Sequence, residues 1–212
     1  MATLLSVNLA TAPTFGPWTG SEGSTGIDKR PADGRVRVFD DHVDGDTVVD
    51  RKHHGGEFKA VYAYSREDAA WWETEIGRAL AGGSFGENLT TEGLDINEAR
   101  IGEQWRIGSV LLQVSEPRIP CRVFAGFWDR PNLIKEFTAA GRSGTYLRIV
   151  EAGDVGAGDA IEVVHRPDHG VSVALAFSAK TAAGLTKAEL LPALEYFAPK
   201  WQSWIQSGTD TN

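Results

Sequence analysis

The chain holds a single cysteine, Cys121, in the stretch Ser115-Glu116-Pro117-Arg118-Ile119-Pro120-Cys121-Arg122. One thiol excludes an internal disulfide and any cysteine-only metal cage. Arg118 and Arg122 flank it, and nearby cations favour the thiolate that attacks electrophiles or ligates soft metals. Pro117 and Pro120 fix their own torsions and bias the residues before them towards extended backbone, so the thiol is expected in a stiff loop. The alternative is a small buried hydrophobe, a role that free cysteine often fills.

Two further stretches carry chemistry-bearing side chains. In Asp50-Arg51-Lys52-His53-His54-Gly55-Gly56-Glu57-Phe58-Lys59, adjacent histidines lie on opposite faces if the chain is extended and would not chelate one metal. Gly55 and Gly56 let backbone amides approach an anion closely, with His54 and Lys59 adding charge. A phosphate or a pterin suits that arrangement; a polar hairpin turn is the competing reading. In Ser84-Phe85-Gly86-Glu87-Asn88-Leu89, Glu87 offers a proton donor and Asn88 an orienting amide, although the pattern alone reads first as a turn with a capping carboxylate. Arg148 lies on an expected strand, and periodicity does not say whether it faces an anion or water.

The elements that must position these groups begin with an alternating run, Val110 to Val114, read as a half-buried strand leading into the cysteine loop. Leu4 to Leu9, Arg35 to Phe39, Thr47 to Val49, Ala60 to Tyr64 and Gly144 to Val150 are further expected strands. The segments 107–112 and 157–163 each place a Gly-polar turn before an alternating strand, as two barrel hairpins would. Thr11 to Arg30 is a long Gly, Pro and Thr-rich loop, and its length with Trp18 argues for a functional lid. A helix should start at Ser65, with Asp68 in the capping-box position and Ala69, Trp72, Ile76 and Leu80 inward, and stop at Gly82-Gly83. A second is expected over Asp129 to Ala140, with Asp129 as cap. After Arg166-Pro167-Asp168 the texture becomes helical: Val171 to Ala179, a segment opened by the capping box Thr186-Lys187-Ala188-Glu189, and one begun by Pro199 that carries Trp201, Trp204 and Ile205. These readings divide the chain into a β-rich domain over 1–167 and a three-helix appendage over 168–212, too small to stand alone and expected to dock on the barrel or on a second subunit.

With 212 residues, 29 acidic against 21 basic side chains and a net charge of −8, the chain argues against nonspecific nucleic-acid or anionic-membrane binding. Met1-Ala2-Thr3-Leu4-Leu5 has no positive n-region and no apolar run reaches membrane-spanning length, so a cytoplasmic location is expected.

Taken together, Thr25-Gly26-Ile27-Asp28-Lys29, His54-Gly55-Gly56, Lys59-Ala60-Val61-Tyr62-Ala63-Tyr64, Phe85-Gly86-Glu87-Asn88-Leu89, Gly108-Ser109-Val110, Pro117-Arg118-Ile119-Pro120-Cys121 and Gly144-Thr145-Tyr146-Leu147-Arg148 resemble, in order, a MOSC domain of the YiiM-like branch. The resemblance implies a mainly β fold with helices, a barrel of the pyruvate-kinase-insert type that binds molybdenum cofactor (molybdopterin), and a three-helix extension. It implies that Cys121 ligates molybdenum, or carries a persulfide in sulfurase-type members. It assigns His54, Gly55, Gly56, Lys59, Arg118, Phe85, Gly86 and Arg148 to the cofactor pocket, and Glu87 and Asn88 to the vicinity of the metal. Two positions depart from the pattern: Ser115-Glu116 stands where a more neutral pair is expected, and Ser109 replaces an Asp. The implied activity is reduction of small N-hydroxylated compounds, hydroxylaminopurines or amidoximes, with electrons from a separate protein, expected to be a flavin reductase. A sulfur carrier and a non-catalytic cofactor-binding protein are the alternatives, and a homodimer through Trp201 and Trp204 stays open.

Overall fold

The computed structural model describes residues 1–181 and 187–207. Its strands are β1 (Ala2–Leu9), β2 (Thr14–Phe15), β3 (Ser24–Thr25), β4 (Arg30–Pro31), β5 (Arg35–Val38), β6 (Val61–Ser65), β7 (Leu89–Glu92), β8 (Gln104–Ile107), β9 (Val110–Pro117), β10 (Thr145–Glu151), β11 (Gly153–Gly156) and β12 (Ala160–His165). The α-helices are α1 (Arg51–His54), α2 (Arg66–Ile76), α3 (Arg122–Phe127), α4 (Leu133–Ala140), α5 (Val173–Thr181) and α6 (Pro199–Gln206).

Seven strands close into a barrel in the order β12-β8-β9-β10-β6-β7-β1, with β1 returning to β12 through Ala2 opposite Ile161 and Thr3 opposite Ala160. All neighbours are antiparallel except β6 and β7, which run parallel and need the crossover that α2 supplies. A fully closed sheet leaves no edge for another chain to pair with. Inside lie Leu4, Val7, Val61, Ala63, Leu89, Trp105, Ile107, Val110, Leu112, Val114 and Leu147.

The C-terminal segment belongs to this same core. Val171, Val173, Ala176, Leu190, Ala193, Phe197, Trp201 and Ile205 pack with the barrel residues, and the backbone bonds Ile101 N to Val171 O (3.0 Å) and Val173 N to Ala99 O (2.9 Å) stitch the junction. Because α5 covers the outer side of β9, every residue from Val110 to Pro117 is buried. The strand is therefore buried on both faces rather than half-buried.

Several local expectations are corrected. Thr47 to Val49 form no strand; these residues run past the barrel mouth, where Thr47 N bonds Ala10 O at 2.8 Å. Asp50 to His54 is no extended run but holds a helical turn, α1, so the argument from extended histidines does not apply. Helix α2 ends at Gly77, whose φ of 69° closes it with an N–H bond to Glu73 O, well before Gly82-Gly83. Asp129 takes positive φ (49°) in the turn before α4 and caps nothing; Asn132 precedes that helix without a side-chain bond. The turn at Gly158 feeds β12, yet β11 pairs with β5 outside the barrel, so only the 107–112 segment is a hairpin. Lys187–Tyr196 is a 3-10 stretch, with Pro192 inside it; Thr186, its expected cap, lies outside the described residues. No described helix is long and apolar enough to cross a membrane.

Candidate functional site

A second buried cluster, mostly aromatic, fixes the end of the barrel at which the chemistry-bearing residues meet. Tyr64 stacks on Phe85 at 3.9 Å between ring centroids, Trp72 on Phe137 at 5.8 Å, and Phe85, Phe124 and Trp128 tilt against one another. This seats α2, α3 and α4. Leaving β9 at Pro117, the chain crosses that cluster through Arg118 and Ile119, and Cys121 stands at the start of α3. The thiol thus sits at a strand-to-helix junction. The short helix α3 has no capping signal in the sequence, since Cys121 precedes it without a side-chain cap bond. Trp18 from the long N-terminal loop packs against this same cluster, edge-on to Phe127 of α3 at 5.9 Å. A Cβ at Gly126 would come within 2.2 Å of Trp18, so only glycine lets the loop seat there.

Beside this cluster opens a cavity of about 640 Å³ including its mouth. The N-terminal loop gives it Thr25, Gly26, Ile27 and Lys29; the stretch after β5 gives Asp46 to Asp50; α1 and the following turn give His54 and Lys59. Tyr62, Phe85, Gly86, Asn88, Arg118, Cys121 and Tyr146 complete it. His54, Lys59, Arg118 and Cys121 therefore share one pocket, as do Phe85, Gly86 and Asn88. Lys29, Asp46, Tyr62 and Tyr146 also line it. Lys29, Tyr62 and Tyr146 stand in the stretches that carry the family resemblance, and Asp46 in Asp44-Gly45-Asp46, whose composition reads as a turn.

The charges inside are partly matched. Lys29 is buried and paired with Asp46, and burial pulls its ammonium below the usual lysine range against the pull of that carboxylate. Asn88 Nδ2 donates to Asp46 at 2.9 Å while its oxygen accepts from Tyr62 N at 3.2 Å, so this amide braces the pocket wall. Lys59 Nζ lies 3.1 Å from the buried Glu116 carboxylate. Arg118 is only 4% exposed; its guanidinium sits 4.0 Å above the Phe124 ring and 5.6 Å from Tyr62, and its Nη1 has no hydrogen-bond partner. His54 Nδ1 meets the Tyr146 hydroxyl at 3.1 Å. Burial above all pushes the Tyr146 phenol up to about 12 despite the neighbouring Arg118, so it stays protonated at neutral pH.

Four candidates lie off the cavity lining. Gly55 and Gly56 form the link between α1 and the Glu57–Lys59 turn. Arg148 reaches Glu57 at 3.4 Å and covers Phe58. Glu87 is 1% exposed, and its oxygens accept from Gly83 N (2.6 Å), Phe85 N (2.9 Å) and Thr90 Oγ1 (2.9 Å). Its carboxyl is pushed up by burial but is committed to the turn, so the expected catalytic role has no free oxygen to act with. Among the described residues no three His, Cys, Asp or Glu side chains cluster as metal ligands.

Residues 50–162 match the family model of the MOSC domain. The chain belongs to the MOSC domain family. Within that family it is 33% identical to the uncharacterized protein YflK of Bacillus subtilis over 98% of this chain and 94% of that one, and 31% identical to protein YiiM of Escherichia coli over 66% of this chain and 64% of that one. A Gibberella moniliformis protein named a reductase is 32% identical over 70% of this chain, which spans only 27% of that protein. The crystal structure of YiiM from Geobacillus stearothermophilus superposes with a TM-score of 0.81 at 28% identity, covering 98% of both chains. The YiiM-like branch is thus supported by sequence and by fold. The matched MOSC segment includes His54, Lys59, Arg118 and Cys121, whereas the Thr25–Lys29 wall and the C-terminal helices lie outside it.

Proposed function

We propose that this MOSC domain binds a molybdenum cofactor in the cavity and reduces N-hydroxylated compounds to the corresponding amines. The observation that carries the reading is the meeting, in one pocket, of the chain's single thiol with a buried guanidinium whose Nη1 lacks a partner. A buried donor left unpaired costs about 1–3 kcal/mol, and an anionic ligand removes that cost. The donor set therefore fits a pterin dithiolene with a phosphate: Cys121 contributes a soft sulfur ligand and Arg118 a planar fork for a phosphate. When bound, the cofactor supplies a molybdenum centre at which an N–O bond is cleaved by two-electron reduction. The net change, R–NHOH + 2e⁻ + 2H⁺ → R–NH₂ + H₂O, consumes protons. Tyr146 Oη, kept protonated by burial and joined to His54 Nδ1, holds one at the pocket wall. Asn88, fixed between Asp46 and Tyr62, keeps the wall beside Phe85 and Gly86 rigid. The electrons come from a separate protein, which we take to be a flavin reductase, and the reductase name of the Gibberella relative supports the redox class.

The test is expression in a host that makes the cofactor and in one that does not, followed by elemental analysis and turnover of a hydroxylamine with an artificial reductant. Roughly one molybdenum per chain together with cofactor-dependent turnover is the expected result. Persulfide on Cys121 without molybdenum would replace this reading by a sulfur carrier. Metal without turnover would reduce it to a binding module.

A further inference from the structure

The pair Ser115-Glu116, which departs from the family pattern, has specific work in the fold. Both residues reach the turn that carries Lys59. Ser115 Oγ donates to the Phe58 carbonyl, and Glu116 Oε1 takes the Lys59 ammonium at 3.1 Å. Glu116 is 2% exposed, and its second oxygen has no hydrogen-bond partner. A carboxylate so buried is costly unless a cation answers it. The groups that act on it come from three sides: Lys59 from the pocket wall, Lys180 from α5 with Trp201 from α6, and Tyr146 from β10.

Of the cavity's three lysine and arginine cations, Lys29 is matched by Asp46 and Lys59 by Glu116. Asp50 also stands on the wall, and of the three cations Arg118 is the one to which no carboxylate is bonded among the described residues. We propose that Glu116 is a specificity-determining residue: by cancelling the charge of Lys59 it leaves Arg118 as the anion receptor, so the cavity accepts a single phosphate monoester group and disfavours a diphosphate. This deepens the cofactor reading above and rests on it, since a cavity that took no anion would have nothing to discriminate.

The experiment uses the full chain from a host lacking the cofactor, with inorganic phosphate and pyrophosphate as probes in calorimetric titrations at pH 8. Wild type should bind phosphate more tightly than pyrophosphate by at least about threefold. Glu116→Gln keeps the shape and removes the charge, and it should tighten pyrophosphate by roughly tenfold while moving phosphate by less than about threefold, the scale of one unit charge at short range in a partly polar site. Because burial raises the Glu116 carboxyl, wild-type pyrophosphate affinity should climb towards that of the variant as pH falls through the raised value, and the difference between the two proteins should vanish. Lys59→Gln, which strips Glu116 of this cation, should weaken pyrophosphate roughly tenfold and so tests the same charge pairing should Glu116→Gln fail to fold. The double variant Lys59→Gln/Glu116→Gln should return the wild-type ratio. Phosphate binding that depends on Arg118, with a pyrophosphate-to-phosphate ratio unmoved by these variants, would overturn the role of Glu116 alone. Absence of binding for either anion would overturn it together with the cofactor reading.

Discussion

Replacing Arg118 by methionine separates what the pocket needs for binding from what the fold needs for stability. The guanidinium is 4% exposed with Nη1 unpaired, and burying an ion costs several kcal/mol even after relaxation. Against that stand its place 4.0 Å above Phe124, worth about 2 kcal/mol for a desolvated cation–π contact, and its bond to Tyr146, worth about 1 kcal/mol. The balance leaves a cofactor-free protein that loses nothing on Arg118→Met and gains up to about 2 kcal/mol, since methionine fills irregular apolar space without a charge. A gain of that size raises the melting midpoint by about 2–4 °C per kcal/mol for a chain of this length. Binding should move the other way. Losing a charge-assisted contact of about 1.5–3 kcal/mol weakens ligand retention by about 10- to 150-fold. Calorimetric melting of the cofactor-free protein, and molybdenum content after exhaustive dialysis of the loaded one, read the two effects separately. A variant that melts several degrees lower yet keeps its metal would refute the reasoning, because Arg118 would then be a structural pillar rather than an anion receptor.

Cys121→Ser should fold and retain the phosphate contacts while losing reduction of a hydroxylamine substrate, because an alcohol is a poor soft-metal ligand; normal turnover per bound molybdenum would exclude the thiol as ligand. Glu87→Gln should leave turnover per folded molecule unchanged and cost about 1–3 kcal/mol through one unmatched amide donor, as denaturant midpoints would measure. Since burial raises the Glu87 carboxyl in the fold, its contribution is complete below the ordinary glutamate value of about 4.3 and is lost as pH rises through the raised value. The stability deficit of the variant should accordingly be largest in acid and shrink with rising pH. Phe197→Ala should cost about 3–5 kcal/mol, because Phe197 is fully buried in the shared core and stacks on Trp201 at 5.2 Å; a cost below about 1 kcal/mol would mean that the C-terminal helices merely rest on the barrel.

What the sequence disclosed about the site follows the locality of the signals. Cys121, His54, Lys59 and Arg118 stand in short stretches whose residue types announce chemistry, and the barrel mouth gathers them. Asp46 carries only a turn signal in Asp44-Gly45-Asp46, because its partners Lys29 and Asn88 are distant in sequence and only closure of the sheet brings them near. Thr47 to Val49 has β-branched composition without a strand to pair with, and composition does not reveal a missing neighbour. Glu87 looked catalytic for the reason that makes it structural: a carboxylate beside glycines finds backbone amides first. Asp129 has capping chemistry but takes a left-handed backbone conformation, which Asp tolerates and which no spacing rule foretells.

The closing seam of the barrel sets an order of events. Ala2 pairs with Ile161 and Thr3 with Ala160, so the first strand finds its last neighbour only after three quarters of the chain has been made. Contacts of such separation form slowly, since the loop entropy must be met before the pairing returns anything. The walls of the cavity are drawn from residues 25–29, 46–62, 85–88, 118–123 and 146, and the sheet that holds them in place is complete only at this seam. A ligand offered to a growing chain therefore meets fragments of a binding surface. On the proposed cofactor reading, loading is an event of the finished, closed barrel.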